Sequence, residues 1–257
     1  MADPSSSSPL PLPRTVVLVH GAFHGAWCWA GLQAALDRRG VPSFAVDLPG
    51  HGVSTEPLAD LHGDAEAVSA VVARLADEGA DELVLVGHSY GGAVISQAEL
   101  GGRVNHLVYL SALVPDEGQD PSSVMAGFPP PPTGTASGGA SQGSGLFVRN
   151  SDGTMGADPA LGRPVFYNTC TAEQAAAAVA RLGPQRAATF KQPSTRANWR
   201  TVPSTYIRCL QDKAVPLGGQ DAMAERCNDV VDIDTDHSPF LCAPDRLADL
   251  LVPLAGR

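Results

Sequence analysis

Ser89 lies at the centre of Gly87-His88-Ser89-Tyr90-Gly91, with Glu82-Leu83-Val84-Leu85-Val86 before it and Gly92 to Leu100 after it. The first flank has the length and apolar content of a strand and the second reads as a helix. A strand, a tight turn and a helix are what a G-x-S-x-G nucleophile elbow requires. The apical serine is forced towards positive φ, and glycines two residues to either side remove Cβ atoms that would clash. Its hydroxyl then stands clear of the backbone, facing the first amides of a helix, where negative charge is favoured. Gly139-Ala140-Ser141-Gln142-Gly143 matches the same pattern. It follows Gly/Ser/Pro sequence rather than an apolar run, so Ser141 reads as loop.

A serine hydroxyl attacks only when a base takes its proton, and the base needs a partner that fixes its tautomer and stabilises its charge. Behind an elbow serine these partners follow in the order Asp or Glu, then His, on loops at strand C-terminal ends. His237 is the one histidine of seven beyond residue 106, and it follows the strand-like run Asp229 to Ile233. Asp212 follows the run Ser204 to Leu210 directly. Asp232, Asp234 and Asp236 lie too near His237 in sequence to reach round to its Nδ1, and Asp221 falls inside a helix. Asp116, after another strand, stays open as an alternative to Asp212.

An oxyanion formed on attack needs donors already in place. The backbone N–H of Tyr90 is one candidate. The other is Ala22 N–H, in the glycine-bracketed, proline-free loop His20-Gly21-Ala22-Phe23-His24-Gly25. His20 and His24 are spaced like a metal pair, but the loop is not helical and no third ligand is evident, so His20 is expected to brace the loop and no metal is expected. His88 and His51 are expected to pack beside the elbow and in a turn, and His62 and His106 carry no signal. Phe23, Tyr90, Phe128, Phe147, Phe166 and Trp199 flank the loops and are candidates for a substrate pocket, with Ser238 beside His237; ordinary packing is the commoner role for any one of them.

The elements that must position these residues form a regular series. Thr15 to Val19, Ser43 to Asp47, the run into the elbow, and His106 to Leu110 read as strands. Trp27 to Arg39 and Asp64 to Glu78 read as helices, by their apolar spacing and their closing glycines, Gly40 and Gly79. Short strands alternating with helices imply a parallel sheet covered on both faces. The alternation fails from Ala112 to Pro203, longer than an ordinary connection. We read residues 112–203 as a largely helical cap inserted between the fourth and fifth strands, with 14–111 and 204–257 as the core. The cap includes a helix from Thr171 to Leu182 and a flexible Pro/Gly/Ser-rich stretch at 128–145. Beyond Pro203 the α/β pattern resumes, ending in a helix from Pro244 to Leu254.

A 257-residue chain that is 44% hydrophobic can bury one large α/β core. Its formal net charge of -10, without a Lys/Arg cluster, argues against nucleic-acid and anionic-membrane partners. Five scattered cysteines, Cys28, Cys170, Cys209, Cys227 and Cys242, contain no C-x-x-C pair and favour reduced thiols in a cytoplasmic setting over disulfides or zinc. Residues 1–13 lack the basic start and apolar centre of a signal peptide and read as a mobile leader.

Several pieces together resemble the α/β-hydrolase superfamily and, within it, the plant methylesterase and hydroxynitrile lyase group with related bacterial esterases. They are Val19 to Trp29, Asp47-Leu48-Pro49-Gly50-His51-Gly52, the Gly87 to Gly92 elbow, Tyr109 to Asp116, Phe166-Tyr167-Asn168-Thr169-Cys170, Cys209 to Ala214 and Asp236-His237. The resemblance implies an α/β-hydrolase fold with about six mostly parallel strands, a triad of Ser89, His237 and Asp212, and no cofactor. The group's lyases carry threonine where this chain has Gly21 and lysine where it has Ser238, so the resemblance favours an esterase acting on a small or medium methyl or aryl ester. A cofactor-free lyase, a C–C bond hydrolase or a cyclase with His237 as base is the alternative, and a non-enzymatic small-molecule receptor is a third. Monomer and homodimer remain open.

Overall fold

The computed structural model describes residues 14–80, 82–128 and 146–256. The expected leader, and all but Phe128 of the expected flexible stretch, lie outside these residues. In chain order the elements are β1 (Thr15–Val19), α1 (Ala30–Asp37), β2 (Ser43–Val46), α2 (Leu61–Asp77), β3 (Leu83–His88), α3 (Tyr90–Gln97) and β4 (Val104–Leu110). A long excursion follows, with α4 (Pro121–Ala126), β5 (Phe147–Arg149), β6 (Thr154–Ala157), α5 (Pro159–Phe166), α6 (Ala172–Val179) and β7 (Gln185–Arg186). The chain then returns through β8 (Ser204–Cys209), α7 (Leu217–Ala224), β9 (Asp229–Ile233), α8 (Pro239–Cys242) and α9 (Pro244–Ala255).

β2, β1, β3, β4, β8 and β9 lie side by side in that order, and every pairing is parallel. The central strands β1 and β3 are apolar on both faces because both faces are covered, whereas the edge strand β9, with Asp229 and Asp232, is mostly exposed. Val17 and Val19 of β1 join a core with α2, α3 and α7, whereas Val16 and Leu18 join one with α1 and α9. All four side chains are fully buried, each stabilising the fold by about 1.5–3 kcal/mol before the entropy of ordering is counted.

The excursion is mainly helical, with a small antiparallel sheet in the order β5-β6-β7 in addition to the expected helices. Thr171 caps α6 as its sequence implies: its hydroxyl accepts from Gln174 N while the Gln174 side chain accepts from Thr171 N. The excursion seats itself through a third apolar cluster, in which Phe166, Tyr167 and Cys170 pack with Phe23 from the β1 loop and Ala214 from the β8 loop. Among the described residues no helix is long and apolar enough to cross a membrane.

Candidate active site

Strand order decides which loops meet. In register, Val19 of β1 pairs with Gly87 of β3, His88 of β3 with Leu110 of β4, Leu110 with Ile207 of β8, and Cys209 of β8 with Ile233 of β9. The C-terminal ends of these five neighbouring strands therefore present Ala22, Ser89, Ser111, Asp212 and His237 along one edge of the sheet, where open parallel sheets bind ligands.

Ser89 sits between β3 and α3 at φ 53°, ψ −120°, a conformation that non-glycine residues rarely adopt. The glycines make it possible. A Cβ on Gly87 would lie 2.6 Å from Gly91 O, and one on Gly91 would lie 2.6 Å from Val19 O. The strained turn is held by Ser89 N donating to Leu110 O and Ser89 O accepting from Gly92 N and Leu113 N.

His237 and Asp212 are buried together, with His237 Nδ1 donating to Asp212 Oδ2 at 2.6 Å. In the neutral ring that bond places the proton on Nδ1, so that Nε2 carries the free lone pair. Asp212 is fully engaged: Oδ1 accepts from Ala214 N and Val215 N at 2.6 and 2.9 Å, and Oδ2 also accepts from Ser111 Oγ. The other aspartates considered are held elsewhere. Asp116 is ion-paired with Arg200, Asp221 and Asp232 with Arg208, and Asp234 accepts from Gln211 Nε2. Asp236 accepts from the backbone amides of Thr169 and Ser238.

Ser89 and His237 line one cleft of about 500 Å³, the part open to solvent included, together with Ala22 and Tyr90. Of the expected pocket residues, Phe23, Phe147 and Phe166 line it as well. Phe128, Trp199 and Ser238 do not. Phe128 lies against Gly219 of α7, Trp199 donates to Pro115 O beneath the Arg200 guanidinium, and Ser238 is fully buried with its backbone on Asp236. Their places are taken by Met125, Phe190, Leu113 and Val215. No Lys, Arg, Asp or Glu is among the described lining residues.

The histidines around the cleft are braces. His20 Nε2 accepts from Leu48 N, so its Nδ1 carries the proton donated to Gly21 O at 2.8 Å. His24 Nδ1 likewise donates to Ala22 O, leaving Nε2 to accept from Tyr167 Oη at 2.7 Å. His24 thus ties the excursion to the loop carrying Ala22. Burial pushes His24 down to about 4 and His20 well below the ordinary imidazole range, which keeps both rings neutral. His88 donates from Nε2 to the His237 carbonyl at 2.8 Å, and burial holds it neutral too. Asp47, directly after β2, accepts from Ala26 N at the end of this loop and from Val53 N in its own turn, tying the two together.

Ser111 is the site residue that sequence reasoning passes over. It follows β4 at φ 40° and is fully buried. The available signal was a hydroxyl at the C-terminal end of the strand between the Ser89 and Asp212 strands.

The family model described as "Alpha/beta hydrolase family" matches residues 16–250. The chain is 30% identical to the alpha/beta hydrolase nvfD of Aspergillus novofumigatus, over 95% of this chain and 98% of that protein. It is 28% identical to methylesterase 1 of Arabidopsis thaliana, over 94% and 95% of the two chains. Among solved structures it is similar to a pyrethroid hydrolase from Sphingobium faniae JZ-2, with a TM-score of 0.78, 25% identity and coverage of 94% and 97%. With a parallel sheet, an elbow serine and a His–Asp pair at its edge, this chain belongs to the α/β-hydrolase family.

Proposed function

We propose that the protein is a cofactor-free serine carboxylesterase acting on uncharged, small to medium esters of methyl or aryl type. The observation that carries the reading is that Ser89 and His237 line one cleft while His237 Nδ1 is held on Asp212. Ser89 Oγ attacks the ester carbonyl carbon as its proton passes to His237 Nε2, and Asp212 stabilises the imidazolium. The oxyanion is received by the N–H groups of Ala22 and Tyr90. Collapse expels the alcohol, which takes the proton from His237. Water then attacks the acyl-enzyme with His237 again as base, and the acid leaves.

Uncharged esters are favoured because the described lining offers aromatic and aliphatic side chains and no cation to pair with a carboxylate. Hydrolysis is favoured over cyanohydrin cleavage because a Cβ at Gly21 would lie 2.9 Å from His88 Nδ1 and 3.0 Å from Ser89 Cβ. The threonine of the lyases has no room there without a shift of the elbow. The names of the methylesterase and pyrethroid hydrolase relatives agree with this reading.

The test is steady-state turnover of a p-nitrophenyl ester by Ser89→Ala. Its kcat is expected to fall by about 10⁴-fold or more. Turnover near the wild-type rate would overturn the proposal, and a fully active wild type that cleaves C–C bonds or cyanohydrins but no ester would replace hydrolysis with the lyase reading.

A further inference from the structure

Cys170 is brought by the fold to Asp236 and Cys242, which lie six residues apart beside His237. Cys170 lies between α5 and α6, Asp236 directly precedes His237, and Cys242 ends α8. Their two sulfurs and a carboxylate oxygen all fall within 4.8 Å of one another. Asp236 is fully buried, Cys170 buried and Cys242 half-buried, so the cluster is sheltered but reachable from one side.

The carboxylate is already aimed. Asp236 Oδ2 accepts from Thr169 N at 2.7 Å and Oδ1 from Ser238 N at 2.9 Å, while the Cys242 thiol donates to Oδ1 at 3.4 Å. Backbone donors that fix a carboxylate in this way are the outer support metal sites use to orient their ligands. Among the described residues no Lys, Arg or His is ion-paired with Asp236, although a buried carboxylate ordinarily has a cation to offset its desolvation.

We propose that Cys170, Asp236 and Cys242 form a binding site for one thiophilic divalent cation of the zinc class. Zinc bonds of about 2.3 Å to sulfur and about 2.0 Å to oxygen, set at the tetrahedral angle, separate the two ligand atoms by about 3.5 Å. The Cys242 thiol hydrogen bond to Asp236 Oδ1 already holds these two atoms at 3.4 Å, so a cation that displaces the thiol proton meets them at that separation without rearrangement. Two thiolates select zinc or cadmium over magnesium or calcium. Binding releases the two thiol protons and leaves the fourth position to water or an added thiol on the Cys242 side. Because Cys170 belongs to the excursion and Asp236 to the His237 loop, the cation staples one to the other, independently of the reaction proposed above.

The test uses the untagged full chain, reduced, stripped with chelator and titrated with Cd²⁺ alone. A thiolate-to-cadmium charge-transfer band in the ultraviolet should saturate at one equivalent and be abolished by Zn²⁺ in competition. Cys170→Ser and Cys242→Ser should each lose the band, Asp236→Asn should weaken binding by about tenfold or more, and Cys227→Ser should keep it. Circular dichroism establishes that each variant is folded, and Zn²⁺ should raise the melting temperature of the wild type but not of Cys242→Ser. A wild type without a band at one equivalent, or a folded Cys242→Ser with an undiminished band, overturns the site.

Discussion

Two buried carboxylates, one bonded to Tyr90 beside the elbow and one to His237, are treated differently by the fold. Asp212 receives four donors: two backbone amides, the Ser111 hydroxyl and His237 Nδ1. Asp64, on α2, receives only the Tyr90 hydroxyl at 2.7 Å on Oδ2, and its Oδ1 has no partner among the described residues. Burial therefore pushes Asp64 up to about 7. Burial alone does not decide what a carboxylate can do; the donors around it do. In the proposed mechanism the Asp212 side supports charge on His237, whereas Asp64 holds the hydroxyl of Tyr90, which lines the cleft.

The sharpest way to break this contrast is to replace each acid by its amide. Asp212→Asn offers His237 an amide group that selects the wrong ring tautomer, and kcat is expected to fall by about 10⁴-fold. Asp64→Asn keeps an acceptor for Tyr90 and should retain most of the activity. A large loss at Asp64 with none at Asp212 would reverse the assignment.

The second test is stability against pH. The raised pKa of Asp64 makes its contribution fully present below about 3.8, the usual value, and lost as pH rises towards about 7. The neutral His20, His24 and His88 work oppositely. Their folded pKa values are depressed, so their contribution is present above about 6.5 and lost as pH falls below it. Urea unfolding of Asp64→Asn should therefore show less stability loss between pH 4 and pH 8 than the wild type, by on the order of 3 kcal/mol. Parallel curves for the two proteins would contradict the Asp64 assignment.

Ser111 supplies a smaller effect on the other side. Removing a hydrogen bond to a charged group costs about 1.5–3 kcal/mol, so Ser111→Ala should lower kcat by about 10- to 100-fold, with KM little changed and folding retained. An unchanged kcat would leave Ser111 a packing residue. The smallest expected effect separates cleft wall from neighbouring structure: Phe166→Ala should raise KM for an aryl ester several-fold, whereas Trp199→Ala should leave it within about twofold.

The parallel sheet was legible because both-face burial writes itself as apolar runs in its central strands, and Ser89, Asp212 and His237 were singled out because each lies within a few residues of a strand's C-terminal end. Boundaries were less so. α2 begins at Leu61, where Asp60 accepts from Gly63 N as the cap, and Asp64, expected at the helix start, is buried one turn in. The small antiparallel sheet escaped notice because strands as short as Phe147–Arg149 and Gln185–Arg186 are too brief to show alternation. Phe128 and Trp199 were placed at the cleft by aromatic type alone, yet an aromatic ring serves equally well against α7 or under an arginine. The approach of Cys170 to Asp236 and Cys242 was beyond spacing rules, because tertiary packing and not local sequence brings it there.

The central claim is that the Ser89 hydroxyl is the nucleophile, and covalent trapping tests it most directly. After reaction with a fluorophosphonate, peptide mapping by mass spectrometry should find a single adduct on Ser89, absent in Ser89→Ala and strongly slowed in Asp212→Asn. An adduct on Ser141, or none on a protein that still hydrolyses esters, would contradict the account.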